Sequence, residues 1–309
     1  VNFTNYKVTP VHAVFDEACR LAGKLGLRVT GSELVGLIPK EALLMAGRHY
    51  LAKQGKSPGA PEDELVRVAV RSLGLSDVVP FDADKKIIEH QFREPGRTLA
   101  GLSLRAFADE LSMDSPAPGG GSVAALCGAM AAALAAMVAN LTVGKKGYEA
   151  VASEMAGAAV RAQALKDELL EAVDRDARAF NKVMDALRLP KATAEQAAEK
   201  ERAVEDASKE ATLVPLEVLA RSVEAAGLAR TAAAKGTRNS VSDAGVAGLA
   251  AEAAGGGAYY NVLINLGGIK DAAFGGRVRR QAEKLRKALE REGKAVRALV
   301  ARTLAEPGG

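Results

Sequence analysis

From Val123 to Leu141 the chain carries no charged side chain, and small residues dominate it, among them Ala124, Ala125, Gly128, Ala129, Ala131, Ala132, Ala135 and Ala136. A helix built this way lets its neighbours approach closely, so it belongs in the middle of a helical bundle or at a subunit boundary. At about 20 residues the run is also long enough to span a membrane. Alanine is only weakly lipophilic, no aromatic belt flanks the run, and the rest of the chain is richly charged, so a buried helix is the better reading.

The approach to this helix is the stretch SPAPGGGS, Ser115 to Ser122. Gly119, Gly120 and Gly121 remove every Cβ from the entry to a helix N-terminus. Backbone N–H groups there can then sit directly against a ligand carrying partial negative charge. The plain alternative is a glycine-rich turn before an ordinary buried helix. Pro116 and Pro118 stiffen the lead-in, and Ser122 is placed as the N-cap. No lysine follows at P-loop spacing, which argues against Walker-type nucleotide binding.

The 309 residues suffice for two modest domains, and composition shifts between Glu94 and Gly101. We expect a multidomain chain: a small α+β subdomain over 1–94, a linker over 95–101, and an all-α helical bundle over 102–309. Strands are expected at Asn2 to Thr9, Leu27 to Thr30 and Leu34 to Ile38, the pattern ends in Ile87 to Phe92, and helices cover one face of the sheet. A net charge of +4, evenly spread, does not suggest nucleic acid as a partner. Cys19 and Cys127 lack zinc or CxxC spacing and read as buried thiols in a reducing compartment. No signal peptide is visible, so a cytoplasmic enzyme or binding protein is expected. His12, His49 and His90 stand singly, with no carboxylate or cysteine at ligand spacing, and are assigned no chemistry.

Ala150 to Leu187 reads as one long amphipathic helix. Leu169, Val173, Asp176, Phe180, Val183 and Leu187 recur at steps of four and three, which puts Asp176 at a seam position otherwise reserved for apolar side chains. An inward carboxylate must pair, protonate or line a wet cleft, so Asp176 is either an internal salt-bridge partner or a functional acid. Asp174, two residues away, points elsewhere. Thr193 to Gln196 has the form of a capping box opening a helix that passes Pro215 with a kink. Asp243 stands at the start of a helix over Ala244 to Leu266, where capping is its simplest role. Asn261 and Asn265 share one face of that helix, suited to hydrogen-bonding a flat heterocycle, or one another and a neighbouring backbone. Arg277 to Leu304 is a basic amphipathic helix.

Five stretches together give a specific resemblance: SPAPGGGSVAAL at Ser115–Leu126, VDRDARAFN at Val173–Asn181, RLPK at Arg188–Lys191, SDAGVA at Ser242–Ala247 and YNVLINL at Tyr260–Leu266. The chain resembles the bifunctional formiminotransferase-cyclodeaminase family of one-carbon folate metabolism in histidine breakdown. VTGSELVGLIPKEALL at Val29–Leu44 is similar to the C-terminal subdomain of that family's transferase half. The resemblance implies that the chain starts partway through this half, without the N-terminal subdomain that carries the transferase's catalytic histidine, which argues against transferase activity. It also implies an all-helical, dimer-forming cyclodeaminase domain in which Asp176 falls on the catalytic aspartate. The implied reaction converts 5-formiminotetrahydrofolate to 5,10-methenyltetrahydrofolate and ammonia, with no metal and no cofactor. On this resemblance Gly119, Gly120, Gly121, Ser122, Asn181, Asp243 and Asn265 orient pterin or substrate, and Lys145 and Lys146 meet the glutamate tail of the folate, polyglutamylated or not. Two alternatives stay open: a methenyltetrahydrofolate cyclohydrolase, and a noncatalytic folate-binding scaffold. A homodimer or larger homo-oligomer is expected, with no nucleic acid and no membrane partner.

Overall fold

The computed structural model describes residues 1–92, 98–115 and 117–306. Residues 95–97 of the expected linker, and Pro116, lie outside the described residues. By backbone contacts the chain divides into two compact units, one of Val1–Gly96 with Val143–Val160, the other of Arg97–Thr142 with Arg161–Gly309.

The first unit holds α1 (Val11–Lys24), α2 (Lys40–Lys53), α3 (Glu62–Ser72) and the single turn α4 (Ala83–Lys86). The expected α+β architecture is overturned here. Among the described residues there is no strand and no sheet, only one isolated parallel bridge between Ile38 and Ile87. Ile38 N–H donates to Lys86 O at 2.9 Å and Ile88 N–H to Ile38 O at 3.0 Å. Elsewhere the backbone groups of the expected strands are taken by turns and side chains. Val8 and Thr9 donate to Asn5 O, Ser32 N–H goes to Gly74 O, and Ile88–Phe92 winds into a 3₁₀ turn. Leu34, Ile38 and Ile87 pack instead against Leu43, Tyr50 and Leu73 of the helical core. A short apolar run bounded by glycine has the pattern of a strand, but it serves equally as extended chain laid over helices.

Two of the three histidines meet in this unit. The His12 and His49 rings stack with centroids 4.3 Å apart, and His49 Nε2 lies 2.9 Å from Asp16 Oδ2. Sequence spacing hid this carboxylate, because it comes from α1 while His49 is on α2. Burial, then the charge of His49, lowers the proton affinity of His12, and Asp16 partly offsets them.

The second unit is a bundle of α5 (Leu104–Leu111), α6 (Gly120–Thr142), α7 (Ala152–Arg188, from Arg161 onward), α8 (Ala194–Lys235), α9 (Val241–Leu266) and α10 (Ala272–Ala305). The uncharged run is α6. By length and composition it is apolar enough to cross a membrane, yet most of that window is buried inside the molecule. Its alanines pack antiparallel against α9: a Cβ on Gly257 would stand 3.3 Å from that of Ala124, and one on Gly128 3.5 Å from that of Ala254. Larger residues at these contacts would force the axes apart.

Along the other side, α7 and α8 are laced by ion pairs, Arg161 with Glu224 at 2.5 Å, Arg175 with Glu217 at 2.7 Å and Lys182 with Glu210 at 2.6 Å. These pairs are partly exposed, so each contributes about 0.2–1 kcal/mol and sets register more than stability. The capping box at Thr193 forms: Thr193 Oγ1 accepts from Gln196 N–H at 3.2 Å while the Gln196 side chain accepts from Thr193 N–H. The antiparallel pairing of α6 and α9 sets the N-terminus of one beside the C-terminus of the other, and a cavity opens there.

Candidate functional site

Helix α6 begins at Gly120, earlier than the spacing predicts, with Val123 N–H donating to Gly119 O at 3.1 Å. Ser122 is therefore not an N-cap but a residue of the first turn. It is fully buried, and its hydroxyl faces α7, 2.9 Å from Val173 O and 3.1 Å from Asp176 Oδ2. One hydroxyl hydrogen serves two acceptors, so Ser122 ties the α7 backbone and the carboxylate to the same point of α6. Gly121 makes this approach possible. A Cβ there would stand 2.5 Å from Asp176 Cγ and 2.6 Å from Oδ2, closer than any real side chain tolerates.

Asp176 is half-buried and lines a cavity of about 390 Å³ with Ala117, Gly119, Gly120 and Gly121 on one side and Phe180 and Val183 of its own helix. Ser208 and Ala211 of α8 and Asn261, Ile264 and Asn265 of α9 complete the wall. Burial pushes the Asp176 carboxyl above its ordinary value, while the Ser122 hydroxyl and backbone N–H pull it back by stabilising the ionised form. Its partners among the described residues are thus neutral donors rather than a cation, which disfavours the internal salt bridge. A carboxylate that is partly desolvated and faces open space holds a proton more readily than an exposed one and is placed to pass it to a bound molecule.

The neighbouring acid does different work. Asp174 accepts from Leu99 N–H at 2.6 Å and from Ala100 N–H at 3.2 Å, fastening the turn that precedes α5. The two asparagines do not bond each other. Asn261 Nδ2 donates to Gly257 O of its own helix and Asn265 Nδ2 to Ala211 O of α8, both at 2.8 Å.

Of the residues singled out in the sequence, the structure brings Gly119, Gly120, Gly121, Asp176, Asn261 and Asn265 to one cavity, with Ser122 directly behind the carboxylate. Asn181 is exposed on α7 and outside the cavity lining, although its neighbour Phe180 belongs to it. Asp243 lies in the first turn of α9, after the N-cap Ser240, and 18 residues of helix, about 27 Å, separate it from Asn261. Lys145 and Lys146 belong to the first unit, in the segment Val143–Val160. Ser208 and Ala211 carried no sequence signal, since an ordinary serine and alanine on a long helix become cavity walls only through helix packing.

The family model described as formiminotransferase-cyclodeaminase matches residues 103–284, and that of the formiminotransferase domain matches residues 1–93. The formimidoyltransferase-cyclodeaminase of Rattus norvegicus is 38% identical over 286 residues, 92% of this chain and 53% of the relative. The chain thus spans about half the length of the bifunctional relatives it matches. A methenyltetrahydrofolate cyclohydrolase of Methylorubrum extorquens is 41% identical over 172 residues, 56% of this chain and 83% of that protein. The crystal structure of formiminotetrahydrofolate cyclodeaminase from Thermotoga maritima superposes with a TM-score of 0.59 at 33% identity, over 66% of this chain and 98% of that one.

Proposed function

Because the chain belongs to the formiminotransferase-cyclodeaminase family, we propose that its helical unit converts 5-formiminotetrahydrofolate to 5,10-methenyltetrahydrofolate and ammonia. The observation that carries this reading is Asp176, a carboxylate of raised proton affinity held in the wall of a cavity at a glycine-lined helix entry.

The chemistry needs one proton carrier. N10 attacks the carbon of the protonated formimino group, the amidinium, so that the C–N10 bond forms and the π pair of the C=N bond moves onto the formimino nitrogen, leaving it a neutral amino group. N10 then sheds its proton to the Asp176 carboxylate. The resulting acid returns that proton to the amino group, the C–N bond breaks with its pair on departing ammonia, and the N5 lone pair closes the methenyl cation. Asp176 ends ionised, as it began. In this form it also favours the cationic amidinium of the substrate by charge pairing.

The test is Asp176→Asn, which keeps size and hydrogen-bonding capacity but removes the shuttle. Ring closure should slow by about 10²–10⁴-fold with the fold intact. A folded variant with near-normal single-turnover formation of the methenyl product removes Asp176 from the mechanism. A second reading, methenyltetrahydrofolate cyclohydrolase, is favoured by the match to most of the length of the Methylorubrum protein. Comparing turnover of the formimino and methenyl folates by the same preparation separates the two.

The unit is further proposed to act as a homodimer or larger homo-oligomer. Met130, Met137 and Leu141 of α6 and Val246, Leu249, Tyr260 and Ile264 of α9 form exposed apolar stripes pointing away from the core. An uncharged face of this kind fits a partner surface. A monomeric mass with activity undiminished on dilution would count against it. The free thiols Cys19 and Cys127 fit a reducing compartment, and we place the protein in the cytoplasm, within histidine breakdown.

A further inference from the structure

Helix α8 runs through Pro215 without interruption. A proline has no N–H to give, so the carbonyl four residues earlier loses its helical partner, and the ring crowds that oxygen outward. In α8 this carbonyl belongs to Ala211. Asn265 occupies it: Nδ2 donates to Ala211 O at 2.8 Å, and both residues line the cavity that holds Asp176. A carbonyl oxygen only accepts, so the amide nitrogen must face Ala211 and the amide oxygen is turned away from it. Asn261, one turn earlier on the same face, bonds instead to Gly257 O within its own helix.

We infer that Pro215 is a positioning residue for substrate selection: by leaving the Ala211 carbonyl free it locks the Asn265 amide, so that Oδ1 offers an acceptor to an N–H group of the bound folate. The ligand chemistry selected is a donor edge, such as the formimino nitrogen or the amide and amine edge of a pterin. A half-buried asparagine bonded on one side only, through a proline-vacated carbonyl, has one orientation, whereas with a complete helix it would have two. This inference rests on reading the cavity as the folate site.

Pro215→Ala tests it, because an alanine N–H at 215 claims Ala211 O for the helix and competes with Asn265. The thermal midpoint should hold or rise, since alanine is the better helix residue. KM for 5-formiminotetrahydrofolate should rise about five- to tenfold, the worth of one hydrogen bond, with kcat within about twofold. Asn265→Ala should raise KM by a similar factor, and the double variant should be no worse than the more impaired single one, because both act on one contact. In ligand-free protein the Asn265 side-chain amide resonances should move on Pro215→Ala. Unmoved resonances, an unchanged KM in Pro215→Ala, or fully additive effects in the double variant each overturn the proposal. Wild-type protein that neither binds nor turns over the formimino folate overturns the cavity assignment instead, and that result is visible before any variant is made.

Discussion

Gly121→Ala probes the site at its tightest point. Gly121 sits in the first turn of α6, where alanine would ordinarily favour the helix by about 1 kcal/mol. The new Cβ would stand 2.6 Å from Asp176 Oδ2 and 2.5 Å from Cγ, against 3.4 Å or more for ordinary contact. Asp176 Oδ1 is nearer still, so relief needs a relative movement of about 1 Å or more, which stretches the 3.1 Å bond from Ser122 Oγ to Asp176 beyond hydrogen-bonding range. Misplacing a reacting group by about 1 Å costs about 10²-fold in rate, equivalent to roughly 2.7 kcal/mol in the barrier. The stability change is smaller, because overpacking of about 1–3 kcal/mol is offset in part by the propensity gain. Single-turnover formation of the methenyl product, with circular dichroism and a thermal scan on the same sample, separates the two effects. A folded Gly121→Ala protein with a rate constant within twofold of wild type would refute the claim that this glycine exists to admit the carboxylate.

Since ring closure needs ionised Asp176, kcat should fall on the acid side with an apparent pKa above that of an ordinary aspartate; Ser122→Ala removes a donor to the ionised form and should move this limb to higher pH, and a shift to lower pH contradicts the assignment. A carboxyl whose folded pKa is raised costs stability as pH climbs from the unfolded value through the folded one, because the unfolded chain loses its proton first. Asp176→Asn should therefore match or exceed wild-type stability above that window and lose the advantage below it, as denaturant titrations at several pH values will show. Thr193→Ala, which removes the capping box of α8, should cost about 1 kcal/mol in denaturant titration without altering KM.

Asp176 was legible in the sequence because a charged residue on a helical seam contradicts the pattern around it, and the structure places it in a cavity wall. The helical nature of the second unit was legible for the same reason, from long periodic runs with marked caps. Ser122 was misjudged as a cap, since serine after three glycines looks like a helix start, yet glycine enters the helix freely when a carboxylate from α7 occupies the space a Cβ would fill. The resemblance puts Asp243 among the residues that orient substrate, but nothing local says which end of α9 meets the entry of α6. That is decided by the antiparallel fit of alanine against glycine. In the first unit, short apolar runs lacked the length that tells strand from extended chain, so the sheet predicted over 1–94 is absent among the described residues.

The close alanine packing of α6 spreads the demands of the site over its whole length. This helix, about 34 Å long, carries Gly121 at one end and is braced on its buried faces by Ala124, Ala125, Ala129, Ala132 and Ala136, none with room to grow. Enlarging any of them pushes the rod as a body and shifts the gap at Gly121. A saturation scan would therefore trace a strip of intolerance running far from the reacting atoms, one that a map of distance to the cavity would not anticipate. Attempts to re-engineer specificity have more freedom at Phe180, whose partly exposed side chain lines the cavity from outside this packed strip.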